Sequence, residues 1–214
     1  MTFKDAVECY RCLLCKGHLD ELDEVSNAYN AWFKHPNSTN LYDLAKVCVV
    51  GGHQNRIPSK AKNDAINTLE KHLPTLIKTQ FKDFEDLYAH VKSLIGGIPH
   101  IGLLAVYDVS LRIGHLFPSP IYPKRYLYLN NSGAMNGAKK LLGGRKLAYR
   151  EKFTDFFSYP EALNVTDIAS LRSLPNCLVE DFLCVMHQYL DKGPRGLIDD
   201  RWTTNTYIFK QKHS

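Results

Sequence analysis

Residues 83–114 read DFEDLYAHVKSLIGGIPHIGLLAVYDVSLRIG, and the reading of this stretch decides the fold. Leu87, Val91, Leu94 and Ile95 recur at helical spacing, so the first segment carries one apolar face. Gly96 and Gly97 end it, because glycine enters the left-handed conformation of a helix C-cap without steric cost. Ile98-Pro99-His100-Ile101-Gly102 forms the turn. A second helix runs from Leu103 to Arg112 and stops at Gly114. Two helices of about a dozen residues joined by so short a turn form an antiparallel or steeply crossed pair.

Outward from this pair the same periodicity continues. Towards the N-terminus, residues 2–16 read as an amphipathic helix with Phe3, Val7, Tyr10 and Leu14 on one face and Gly17 as its cap. Residues 20–34 carry Leu22, Val25, Tyr29, Trp32 and Phe33 and read as a second helix. His35-Pro36-Asn37-Ser38 is a loop, since proline disfavours helix at the residue before it. Asn40 opens a helix that Gly51-Gly52 ends. Ser59 is the expected N-cap of a helix to Leu73, with Pro74 as a kink or the start of a new turn. Towards the C-terminus, residues 115–129 carry three prolines that preclude regular helix, and Tyr126 to Leu129 have the most strand character. Asn130-Asn131-Ser132 caps a helix to Leu142, Thr166 a short helix around residues 168–171, and Asn176 opens a last helix to Leu190. The expectation is an all-α fold, an orthogonal helical bundle of seven to nine helices around the central pair. It is either one domain over residues 1–214 or two lobes divided near 53–58 or 115–131.

The chain has 214 residues, 44% hydrophobic and 23% charged, with a formal net charge of +5. This is the composition of an ordinary globular protein with room for a sizeable core. The positive balance permits a polyanionic partner without demanding one. No stretch approaches the ~18 consecutive apolar residues of a membrane span. The N-terminal residues are charged and amphipathic and lack a signal-type apolar run. With six cysteines and no secretion signal, a reducing, cytoplasmic setting is expected.

Ile98-Pro99-His100-Ile101-Gly102 resembles the hairpin of helix-hairpin-helix DNA-binding proteins, especially the DNA glycosylase superfamily. That motif runs apolar residue, Pro, Gly, apolar residue, Gly, then helix. The resemblance covers the hairpin region alone, and His100 stands where the motif has its first glycine. It implies a turn whose backbone N–H groups hold a DNA phosphate, with Gly97, His100 and Gly102 at the contact. The superfamily's chemistry does not carry over cleanly. Its lyase members place a lysine just beyond the hairpin, where this chain has Leu103 and Leu104. Its base-excising aspartate is expected in a loop that here reads Tyr128-Leu129-Asn130-Asn131-Ser132, without a carboxylate. The cationic sugar formed as a base leaves would there lack a paired charge.

Other residues carry chemistry of their own. Asp108 lies within the second hairpin helix with Arg112 one turn on, either as a catalytic carboxylate or as half of a surface ion pair. His53-Gln54-Asn55-Arg56 follows a glycine stop and is dense in hydrogen-bonding groups; Gln54 and Arg56 suit a base edge or a phosphate. His53 and His100 are candidate acid–base partners of Asp108. Lys124 and Arg125 lie among Tyr122, Tyr126 and Tyr128, a mixture that combines phosphate neutralisation with base stacking. Lys139, Lys140, Arg145, Lys146 and Arg150 form a second basic cluster.

Cys9, Cys12, Cys15 and His18 are spaced three apart, a pattern of possible metal ligands. At about 100° per residue, steps of three rotate each side chain about 60° backwards around a helix, so the four fan apart instead of converging. Cys177 and Cys184 lack the two further cysteines a cluster needs. No metal and no cofactor is expected. Three functions remain open: a DNA-binding protein built on the hairpin, directed at modified or damaged DNA; a glycosylase-like hydrolase acting on a nucleotide or nucleic acid through Asp108 with a histidine; and a helical protein-interaction domain.

Overall fold

In a computed structural model of the chain, the described residues are 7, 18–51, 57–124, 126–127, 133–141, 153–154, 168–172, 179 and 182–183. They are helical throughout apart from turns and one short strand pair. The helices with both ends described are α1 (His18–Lys34), α2 (Ser38–Val49), α3 (Ser59–Leu76), α4 (Phe84–Ile95), α5 (Leu103–His115), α6 (Gly133–Leu141) and α7 (Ile168–Arg172). β1 (Tyr126–Leu127) pairs antiparallel with β2 (Phe153–Thr154), Tyr126 opposite Thr154 and Leu127 opposite Phe153. The chain divides into two compact units, Leu19–Pro123 and Met1–His18 with Lys124–Ser214. The break after Pro123 falls in the proline-bearing stretch 115–131, and 53–58 lies inside the first of these units.

The Leu19–Pro123 unit is built around α5. Residues Ala105 to Ser110 of this helix are all buried, followed by Arg112, Ile113 and Gly114. A helix buried all round belongs in the interior of a fold. α4 packs on α5, α2 packs on both α3 and α5, and α3 packs on α4. The core between them includes Leu44, Leu69, Leu73, Leu76, Phe84, Leu87, Val91 and Ile95. Each such side chain contributes about 1.5–3 kcal/mol by leaving water. Phe84 and Tyr107 meet edge to face at 5.5 Å between ring centres, joining α4 to α5.

The helix ends show how local chemistry sets the boundaries, and where it departs from the sequence expectation. The N-cap of α2 is Asn37, whose Oδ1 accepts from the Asn40 N–H at 2.8 Å. Asn40, expected to open the helix, instead lies in its first turn. Its Nδ2 donates to the carbonyl of His35 at 2.9 Å, giving a partner to a carbonyl just past the end of α1. The N-cap of α3 is Pro58 instead of Ser59, which is already helical. α3 continues through Pro74 to Leu76, past the expected end at Leu73, with the Ile77 N–H bonded to the Leu73 carbonyl at 3.0 Å. Pro74 removes one donor from the ladder without ending it.

α4 opens on Asp83, whose Oδ1 accepts from the Asp86 N–H at 3.0 Å, while Asp86 Oδ2 accepts from the Lys82 N–H at 3.1 Å. The two carboxylates also favour the positive end of the helix dipole. α4 ends on Gly96, but in the right-handed region (φ −68°, ψ −16°), not the left-handed cap expected of it. The left-handed residue of the turn is His100, φ 69°.

In the other unit, Ala134, Met135 and Ala138 of α6, Leu171 of α7, and Val7, Val179, Phe182 and Leu183 are buried. Tyr126–Leu127 has the strand character expected of it; its partner, Phe153–Thr154, lies in a stretch whose sequence reads as irregular.

Candidate functional site

The tip between α4 and α5 is a compact turn. The Ile98 N–H bonds to the Ile95 carbonyl and the Ile101 N–H to the Ile98 carbonyl, both at 3.1 Å. Ile101 is buried and anchors the turn to the core, while Gly97, Pro99, His100 and Gly102 are exposed. Gly102 is the N-cap of α5 (φ −85°, ψ 170°), and no side chain caps this end. The first amides of a helix have no partner within it, so Leu103, Leu104 and Ala105 bring their N–H groups to the tip. A Cβ placed on Gly97 or Gly102 would meet nothing within 4 Å. Neither glycine is demanded by a neighbour inside the protein, and neither has a positive φ. The tip therefore combines a helix N-terminus, uncovered backbone and a left-handed histidine, an arrangement able to hold an anion.

Asp108 and Arg112 lie in the body of α5, 8% and 6% exposed. An exposed ion pair at these positions is thus corrected: both side chains are inside. Nη1 of Arg112 donates to the Cys48 carbonyl at 3.2 Å, placing the cation at the C-terminal end of α2. Gly51 accommodates it, since a Cβ there would run into the guanidinium. Asp108 lies about 9 Å along the helix axis from Gly102, six residues at the helical rise, so the hairpin tip and the carboxylate occupy different levels of α5. His53, Gln54, Asn55 and Arg56 lie outside the described residues, as do Arg125, Arg145, Lys146, Arg150, Cys9, Cys12, Cys15, Cys177 and Cys184. Lys124 is exposed, and Lys139 and Lys140 are half-exposed on α6. Among the described residues, no group of three or more His, Cys, Asp or Glu side chains is placed to hold a metal.

Charge is divided unevenly. The Leu19–Pro123 unit carries ten Lys and Arg against eleven Asp and Glu, and the other unit seventeen against eleven. The positive excess of the chain therefore lies in the unit formed by Met1–His18 and Lys124–Ser214, not in the unit that carries the hairpin.

A cluster that sequence reasoning missed joins α1 to the far end of α5. His115 Nε2 is 3.0 Å from Ser26 Oγ, and His115 Nδ1 is 2.6 Å from the Tyr122 hydroxyl. The imidazole and phenol rings lie 28° from parallel, 6.2 Å between centres. Burial lowers the pKa of His115 from 6.5, and the nearby Asp23 carboxylate opposes that shift. The return of the chain from α5 to Tyr122 depends on Gly114: the Ile121 N–H bonds to the Gly114 carbonyl at 2.9 Å, and a Cβ on Gly114 would collide with the Ile121 carbonyl oxygen. Ser26 and His115 are 89 positions apart, and neither sits in a recognisable local pattern.

Comparison with known proteins found no matching family model, no matching curated protein and no matching solved structure. No helix of the described residues is long and apolar enough to cross a membrane.

Proposed function

We propose that the protein binds duplex DNA through α4 and α5, arranged as a helix-hairpin-helix-like pair within an orthogonal bundle, and that modified or damaged DNA is its target class. The observation that carries this reading is His100. It stands where the motif has glycine, and its backbone takes φ 69°, a conformation glycine enters most readily. Open space around Gly97 and Gly102 and the uncapped start of α5 add to it. A phosphate at the tip accepts from the first amides of α5 and gains from its dipole. The hairpin unit has no positive excess of its own, so the reading rests there on backbone amides and the helix dipole; Gln54, Arg56, Lys124 and Arg125 are proposed as separate nucleic-acid contacts. The cytoplasmic setting belongs to the same reading.

The alternative, a glycosylase-like hydrolase using Asp108 with His53 or His100, draws no support from the burial of Asp108. The third, a protein-interaction domain, rests on Phe33, Tyr42 and Val50, the large hydrophobic side chains that are exposed among the described residues.

Titration of a fluorescent duplex at two salt concentrations tests the proposal. Phosphate contacts make log K fall with log salt at about −0.9 per neutralised phosphate. Binding with such a slope supports the reading; no binding at low salt overturns it. Abasic and base-modified duplexes then rank the target class.

A further inference from the structure

Ser26, His115 and Tyr122 have the parts of an activated nucleophile: a hydroxyl within hydrogen-bond reach of an imidazole whose other nitrogen meets a third group. We propose that Ser26 attacks carboxylic esters, with His115 as its general base and Tyr122 as the positioning residue that holds the imidazole ring through Nδ1. The site is separate from the hairpin tip. His115 ends the helix that Gly102 opens, about 20 Å away at the helical rise.

The chain of hydrogen bonds runs in the required direction when the His115 proton is on Nδ1. Nδ1–H then donates to the Tyr122 oxygen, and Nε2 accepts from the Ser26 hydroxyl. In the opposite tautomer Tyr122 donates to Nδ1, Nε2–H donates to Ser26, and the serine is not activated. Burial favours the neutral imidazole, the state a base needs, and the Asp23 carboxylate favours the imidazolium formed during reaction. Ser26, His115 and Tyr122 are each half-buried.

The step balances without a further reactant. Nε2 takes the Oγ proton as Oγ bonds to the ester carbonyl carbon. The tetrahedral adduct collapses with cleavage of the carbon–alkoxide bond, and the proton passes from Nε2 to the departing oxygen. Water, deprotonated by the same nitrogen, then releases the acid and restores Ser26.

The test is treatment of the full chain with p-nitrophenyl acetate, followed by peptide mapping by mass spectrometry. With the reaction quenched in acid during the first turnover, before water releases the acyl group, the expected product is one acetyl group on Ser26, formed faster than on the exposed Ser38, Ser59 and Ser93. General-base catalysis contributes about 10²–10⁴-fold, so His115→Gln slows Ser26 acetylation at least ~100-fold. Tyr122→Phe moves the midpoint of the pH–rate profile, which a merely structural role would not do. Circular dichroism checks that each variant folds. If His115→Gln does not fold, the wild-type profile decides: acetylation must rise with pH through one ionisation below 6.5. Uptake at Ser26 no greater than at the exposed serines, equal rates in wild type and a folded His115→Gln, or a profile without that ionisation overturns the proposal.

Discussion

The guanidinium of Arg112 donates to the carbonyl oxygen of Cys48 at 3.2 Å, tying the end of α2 to the last turn of α5. A charge-assisted hydrogen bond inside a protein contributes more than a neutral one, and its loss leaves a buried carbonyl without that donor. Arg112→Ala is expected to lower the unfolding free energy by about 2–3 kcal/mol. Urea unfolding of wild type and variant measures it; a change within a few tenths of a kcal/mol would show that the tie is unimportant.

Cys48 shares this environment with the opposite consequence for its reactivity. Burial pushes its thiol up to about 12, against a smaller pull downward from Arg112. Thiolate is the reactive form, so Cys48 is inert in the folded chain. Iodoacetamide labelling followed by peptide mapping is expected to leave Cys48 unmodified under native conditions and to modify it in urea.

His115 makes stability depend on pH. Its folded pKa is lowered from 6.5, so the unfolded chain binds the proton more readily. The contribution is complete above about pH 6.5 and is lost as pH falls through the lower, folded value. Urea midpoints at pH 7.5 and pH 5 should therefore differ more in wild type than in His115→Gln. An equal difference in both would place the pH dependence on other groups.

His100 holds a left-handed backbone that costs a residue with a Cβ about 1 kcal/mol. His100→Gly is expected to stabilise the fold by up to that amount, raising Tm by about 4 °C. A lower Tm would show that the strain relieved is smaller than the cost of glycine's extra freedom in the unfolded chain together with any contact of the histidine.

Periodicity made the helices legible: Leu87, Val91 and Ile95 mark the buried face of α4, and the stop at Gly96 falls where the apolar pattern ends. The caps were less legible. Asn37, Asn40 and Ser38 are all plausible starts, and the choice depends on Asn40 reaching the carbonyls at the end of α1. The left-handed position is His100 instead of Gly96, next to the buried Ile101, and nothing in the local pattern marks it. The burial of Asp108 and Arg112 was not legible from their spacing, since an i, i+4 pair reads the same on a surface or inside. The Ser26–His115–Tyr122 cluster was invisible because it is assembled by packing across 89 positions.

DNA binding at the hairpin tip is tested most directly by fluorescence anisotropy of a labelled duplex with three full-length proteins: wild type, Gly102→Glu, and Asn67→Glu, which adds the same charge on the exposed surface of α3. Gly102→Glu meets no atom within 4 Å of its Cβ, so the fold should survive while the carboxylate repels phosphate from the start of α5. The expected result is salt-dependent binding by wild type and Asn67→Glu and weakening of at least tenfold, about 1.4 kcal/mol, in Gly102→Glu. Equal affinity in all three proteins would contradict phosphate binding at the hairpin and move the contact to the basic residues after Pro123.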